Sequence, residues 1–174
     1  MSQAPRIVAV CGARDGVGRT TFAVNAALAL MKETRGRVLF MDLDPESCGD
    51  GVTLLGMDPS QVKTILDFAP YLAQLQPDQL RQYISAHPAG IGVIPLARPD
   101  GAGQVQPQHI TQMLTLLQPL CDYIVADCGV GLNDYNVKVM EMSAGIFCLT
   151  LPDVLVLDHT RRFCEQLQSL QFPS

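Results

Sequence analysis

Residues 12–21 read GARDGVGRTT, within the stretch CGARDGVGRTTFAVNAALAL that runs from Cys11 to Leu30. An apolar run, RIVAVC (6–11), precedes it and a helix-forming run follows it, so the stretch reads as strand, loop and helix. That is the context in which a general phosphate loop, G-x-x-x-x-G-K-[ST], becomes meaningful. Gly16 and Gly18 free the backbone to wrap around an anion, with N–H groups and the helix N-terminus facing it. Val17 lies between them, Thr20 offers a hydroxyl to Mg²⁺, and Thr21 reaches a further phosphate. The position that carries lysine in such loops is Arg19. A lysine ammonium is compact, whereas guanidinium is wide and planar and fits poorly beneath β- and γ-phosphates. Asp15 places a carboxylate where phosphate charge would gather, and like charges at such range disfavour each other. Arg14, at the loop's shoulder, is the counterweight.

Outward from the loop, short apolar runs alternate with helical patterns. RVLFMDL (37–43), IGVIPL (91–96), YIVAD (123–127) and GIFCLTL (145–151) join 6–11 as strands. Their nearly unbroken hydrophobicity predicts strands covered on both faces. Helices are expected over 19–33, 60–68, 77–85, 107–117, 133–142 and 153–170, with Ser60 and Asp153 as N-caps and Gly36 closing the first. The alternation predicts one α/β domain over 1–174, a doubly wound, mostly parallel sheet with helices on both faces. The segment 97–107, ARPDGAGQVQP, is expected to be an exposed connection. LDFAPYLAQLQPDQLRQYI (66–84) is more apolar than a solvated connection needs, which predicts a fold-over at the sheet edge or a partner surface. The chain stops after a helical segment, where such a sheet commonly returns with another strand. It therefore reads as lacking its final elements, a fragment or the N-terminal domain of a longer protein.

Composition narrows the function classes. With 174 residues, 48 % of them hydrophobic, and a mean hydropathy of +0.18, the chain can bury a sizeable core. A net charge of −5 and the absence of a basic run argue against general nucleic-acid binding. Six cysteines without C-x-x-C spacing read as small buried side chains in a reducing, cytoplasmic setting. His87, His109 and His159 are scattered and read as structural, and Arg161 and Arg162 as solvated helix turns. MSQAPRIVAV does not read as a secretory leader, and no run approaches the about 20 apolar residues of a membrane span.

Two further carboxylate sites complete the constellation. FMDLDPES places Asp42 and Asp44 at a strand's C-terminal end, where open α/β sheets keep their ligand sites. YIVADCGVG places Asp127 at another, positioned to hold Mg²⁺ through water.

These residues resemble the MinD/ParA group of P-loop ATPases with a deviant Walker motif, whose loop usually reads K-G-G-x-G-K-[ST]. The resemblance puts Arg14 on the signature lysine, which reaches nucleotide across a sandwich dimer. Asp15 falls on a loop glycine and Arg19 on the phosphate lysine. It implies that Asp44, followed by Pro45, orients the attacking water, that Asp42 is its neighbour, and that Asp127 is the Walker B position. ATP or ADP with Mg²⁺ is the implied ligand, with Thr20, Asp42 and Asp127 on the metal. GDGVTLLGMDPSQVKTILDF, ISAHPAGIGVIPLARPD, ITQMLTLLQPLCDYIVADC and LPDVLVLDHTRRFCEQLQSL are similar to the CpaE/TadZ branch, associated with Tad-type pilus assembly and polar placement. That likeness implies a homodimer, pilus or secretion assembly proteins as partners, and recruitment to a cell pole or the inner membrane face, with only indirect membrane contact. Both lysine positions are arginine here, a glycine is aspartate, and DCGVG lacks the proline often found after the Walker B aspartate. The departures lead to a degenerate module that works through protein contacts and dimerisation, with nucleotide binding weak or lost. The alternatives are an active ATP-dependent dimerisation switch and a regulatory N-terminal domain of a larger secretion motor ATPase.

Overall fold

The computed structural model describes residues 6–47, 49–98 and 105–172. Cys48 and residues 99–104, the middle of the connection expected over 97–107, lie outside the described residues.

Six strands form one sheet: β1 (Arg6–Gly12), β2 (Val38–Asp42), β3 (Ser85–Ala86), β4 (Gly92–Pro95), β5 (Tyr123–Val130) and β6 (Gly145–Leu149). Their spatial order is β3-β4-β2-β5-β1-β6. Every pairing is parallel except that of the two-residue edge strand β3 with β4. The helices are α1 (Arg19–Thr34), α2 (Asp50–Leu54), α3 (Pro77–Leu80), α4 (Pro107–Leu117), α5 (Asp134–Glu141) and α6 (Val154–Ser169).

The strands are apolar throughout because side chains alternate between two covered faces. Leu39 and Met41 of β2 enter one core with Ile7, Ala9 and Cys11 of β1, whereas Val38 and Phe40 enter the other with Val10. The first core is filled from α4, α5 and α6, including Ile110, Met113, Val139 and Phe163. The second takes Ala23, Val24 and Ala27 of α1, whose small side chains let that helix lie close to the sheet.

The five long strands and the helices over 107–117, 133–142 and 153–170 fall where the sequence places them, within a few residues. Asp153 caps α6, accepting from the N–H groups of Leu155 and Val156. Three expectations are corrected. No helix covers 60–68: Asp58 takes both the amide and the hydroxyl of Ser60 at 2.9 and 2.8 Å, closing a turn instead of leaving Ser60 to cap. Only Ile65–Asp67 is helical there, as a single 3₁₀ turn. The 77–85 helix shortens to α3 followed by a 3₁₀ turn, because the chain must bend to bury Leu80. The left-handed residue that closes α1 is Arg35, at φ 54°, one position before Gly36. The apolar content of 66–84 is mostly core: Phe68, Ala69, Leu72 and Leu80 are buried, while Tyr71 stays exposed.

Candidate functional site

The loop between β1 and α1 sits at the C-terminal end of the parallel strands. Gly12 starts it, and a Cβ there would come within 2.9 Å of Val17 Cγ2 and 3.4 Å of Arg19 Cδ, so glycine lets the loop fold over its own strand. Gly16 and Gly18 take left-handed φ values of 75° and 87°. Gly18 is also the N-cap of α1, with no side chain capping the helix and no acidic residue in its first turn. The first N–H groups of a helix lack intrahelical acceptors, so those of Arg19, Thr20 and Thr21 are offered to whatever enters. What they border is an open cleft of about 640 Å³, lined by Asp15 through Thr21 and, across it, by Ser47, Asp50, Thr53 and Leu54.

Arg19 decides the electrostatics. It is 7 % exposed, and its guanidinium lies inward, 2.9 Å from Asp44 Oδ2 and 3.2 Å from Asp15 Oδ1, with a further hydrogen bond of 3.3 Å to the Arg14 carbonyl. Its Nε has no acceptor among the described residues. Asp44 is buried too, and its Oδ1 accepts from the Glu46 amide at 3.0 Å. Gly129, in β5, makes room for it: a Cβ there would meet Asp44 Oδ1 at 3.0 Å. Arg14 and Asp15 are exposed to solvent.

Asp42 and Asp127 are register partners on β2 and β5, and both are buried. Asp42 Oδ2 accepts the amides of Gly49 and Gly51, each at 3.1 Å, and so holds the start of α2 against the sheet. Burial, then the charge of Asp127, pushes its carboxyl up to about 7. Burial raises Asp127 to about 6, against the opposing pull of the Thr20 hydroxyl and the Arg19 charge. Neither oxygen of Asp127 completes a well-directed hydrogen bond among the described residues. A buried carboxylate left in this condition beside a threonine hydroxyl is what a cation such as Mg²⁺ requires. The residues therefore fit a Mg²⁺-phosphate group: Thr20 and Asp127 on the metal side, the bare N-terminus of α1 on the phosphate side. Arg19 and Asp15 are set against it, because the Arg19 charge already faces two carboxylates and Asp15 adds its own to the cleft.

One residue has no counterpart among the sequence-based candidates. Asn136 is fully buried in α5 and donates from Nδ2 to the carbonyls of Gly129 and Gly131 at 2.8 and 2.9 Å, tethering the segment that follows Asp127. The only sign of it in the sequence is an amide side chain one turn into a helix, directly after a glycine-rich segment.

The fold is shared with solved structures. A ParA family ATPase from Chlorobium tepidum superposes with a TM-score of 0.85 at 21 % identity, over 98 % of this chain and 70 % of that one. The fold is that of the ParA/MinD P-loop ATPases. MinD from Pyrococcus horikoshii, a septum site-determining protein solved with Mg-ADP, superposes at a TM-score of 0.73 with 20 % identity, over 95 % of this chain and 66 % of its own. In sequence, the chromosome partitioning protein ParA of Myxococcus xanthus is 30 % identical over 141 residues, covering 74 % of this chain and 46 % of that protein. The chain spans about half the length of the curated relatives it matches. No family model matches it. Among the described residues no helix is long and apolar enough to cross a membrane.

Proposed function

We propose that this chain is a ParA/MinD-type positioning module of the CpaE/TadZ kind. It helps place or assemble a pilus or secretion machine through protein contacts and dimerisation, on the cytoplasmic side of the membrane or at a cell pole. One observation carries the reading of its nucleotide site: the cation at the phosphate-lysine position is buried and paired with Asp44 and Asp15. An incoming phosphate must take Arg19 from a carboxylate at 2.9 Å and tolerate a second one on the loop. Both demands weaken binding, and Asp44 cannot orient a water molecule while it holds the guanidinium. Likeness to proteins named for chromosome partitioning and septum-site determination supports a role in positioning.

Calorimetric titration with Mg-ATP and Mg-ADP tests the reading. Wild type should bind neither in the low micromolar range, whereas an Arg19→Lys, Asp15→Gly double variant should gain at least about tenfold, or about 1.4 kcal/mol. Low-micromolar binding by wild type overturns it. Sedimentation without nucleotide should show a dimer.

A second reading, an ATP-driven switch, is favoured by the unsatisfied carboxylate of Asp127 and the uncapped N-terminus of α1. In it, nucleotide displaces Asp44 from Arg19, Thr20, Asp42 and Asp127 organise Mg²⁺, Arg14 contacts phosphate, and the released Asp44 activates water. Nucleotide-dependent dimerisation, lost in Asp44→Ala along with turnover, distinguishes this switch.

A further inference from the structure

Three of the cysteines belong to no part of the nucleotide site. Cys11 on β1 and Cys148 on β6 are register partners in adjacent parallel strands, so their side chains leave the same face of the sheet at the same level. α6 packs over that face through Phe163 and Leu167, with Cys164 next to Phe163. A hydrogen bond of 3.0 Å joins Thr150, just beyond β6, to Thr160 of α6. From that pair, two residues back along the strand is about 6.6 Å, and four residues on along the helix is about 6 Å. Both steps return to the same face of their element, so Cys148 meets Cys164 as Thr150 meets Thr160. The thiols thus form a row, Cys11–Cys148–Cys164, with Cys148 between the other two. Cys11 is fully buried, whereas Cys148 and Cys164 are half-buried and reachable from solvent.

We propose that Cys148 and Cys164 are a peroxide-oxidisable pair, forming a reversible disulfide that ties α6 to the edge strand. The neighbouring thiols, Cys11 first and then Cys164, favour the charged form of Cys148, whose thiol is lowered to about 7, while Cys11 and Cys164 are raised. The thiolate of Cys148 attacks one oxygen of a hydroperoxide. An S–O bond forms, the O–O bond breaks, and water or an alcohol leaves with a proton from solvent. The Cys164 sulfur then attacks the sulfenic sulfur, forming the S–S bond and expelling water that carries away the Cys164 proton. Each sulfur gives up one electron and the peroxide takes up two. Among the described residues no group of three such side chains is placed to hold a metal ion.

Trypsin tests this directly, because Arg161 and Arg162 separate the two cysteines in sequence. The full chain is treated with hydrogen peroxide at low concentration, and the monomer band of a non-reducing gel is digested and weighed. Peptides 139–161 and 163–174 should emerge joined, two hydrogens lighter than their sum, and come apart on reduction. In Cys164→Ser the reaction should stop at a sulfenic acid on Cys148 that a dimedone probe traps. Sulfinic or sulfonic acid at Cys148 with the two peptides separate, a bridge from Cys148 to Cys11, or thiols that all remain open to alkylation would each overturn the assignment. The reading is taken on wild type, so poor folding of a variant does not affect it.

Discussion

Arg19 and Asp15 illustrate how burial sets the weight of an ion pair. Arg19 and Asp44 face each other inside the protein, whereas the Asp15 side chain is 76 % exposed. Removing one partner of a buried pair leaves the other as an uncompensated charge, at a cost of about 3–5 kcal/mol. Arg19→Ala should therefore lower the urea-unfolding free energy by that amount, and a loss under about 1 kcal/mol would mean that the pair is not what holds the loop. Asp15→Gly should change stability by less than about 1 kcal/mol, since exposed pairs are screened by water. Its effect is expected in anion affinity instead. The same contrast applies to Arg37 and Asp122, which hold one another at 2.8 Å on the surface.

Between β2 and α2, a missing side chain and a buried carboxylate act together. A Cβ on Gly51 would lie 2.5 Å from the ring of Phe40 and 3.2 Å from Asp42 Oδ2. Gly51→Ala should cost about 1–3 kcal/mol by overpacking and displace the start of α2, measurable as a lower denaturation midpoint. At α1, Gly18→Ala puts a Cβ on a left-handed residue with φ 87°, at roughly 1–2 kcal/mol, although nothing crowds it. The paired aspartates of β2 and β5 make stability depend on pH. Asp42 and Asp127 bind a proton more tightly folded, at about 7 and about 6, than at their ordinary 3.8. Their stabilising contribution is therefore complete below about pH 4 and is lost as the pH rises through about 6 and then about 7. Asp42→Asn should flatten that decline in thermal midpoints between about pH 5 and 8; parallel curves for variant and wild type would refute the assignment.

Across the whole molecule the two sides of the sheet are unequal. One edge ends in the two-residue antiparallel strand β3, too short to recruit a neighbour. The other is β6, with no further strand beside it among the described residues and no charged side chain in its span. Phe147, half exposed on it, packs against Phe22 of α1 with ring centroids 5.4 Å apart and the rings tilted by 45°, and Leu151, Val154 and Leu155 are exposed apolar side chains in and before α6. An apolar strand edge of this kind favours self-association. Phe147→Lys should reduce light scattering as concentration rises while leaving the circular dichroism spectrum unchanged. Scattering equal to wild type would place the association elsewhere.

The sequence by itself determined the parallel α/β sheet, the phosphate-type loop and the strand ends that carry Asp42, Asp44 and Asp127. Each rests on local signals: continuous apolar strands, glycines where φ must be positive, and helices whose period repeats over three turns or more. Where signals were short, as over 60–68 and 77–85, burial of Phe68, Leu72 and Leu80 overrode them. Only the tertiary structure decided which way Arg19 points, that Asp42 holds the turn into α2, that Asn136 ties down the segment after Asp127, and that Cys148 meets Cys164. All four join residues distant in sequence or depend on a desolvated partner, and no local pattern encodes which partner a buried charge or thiol will meet.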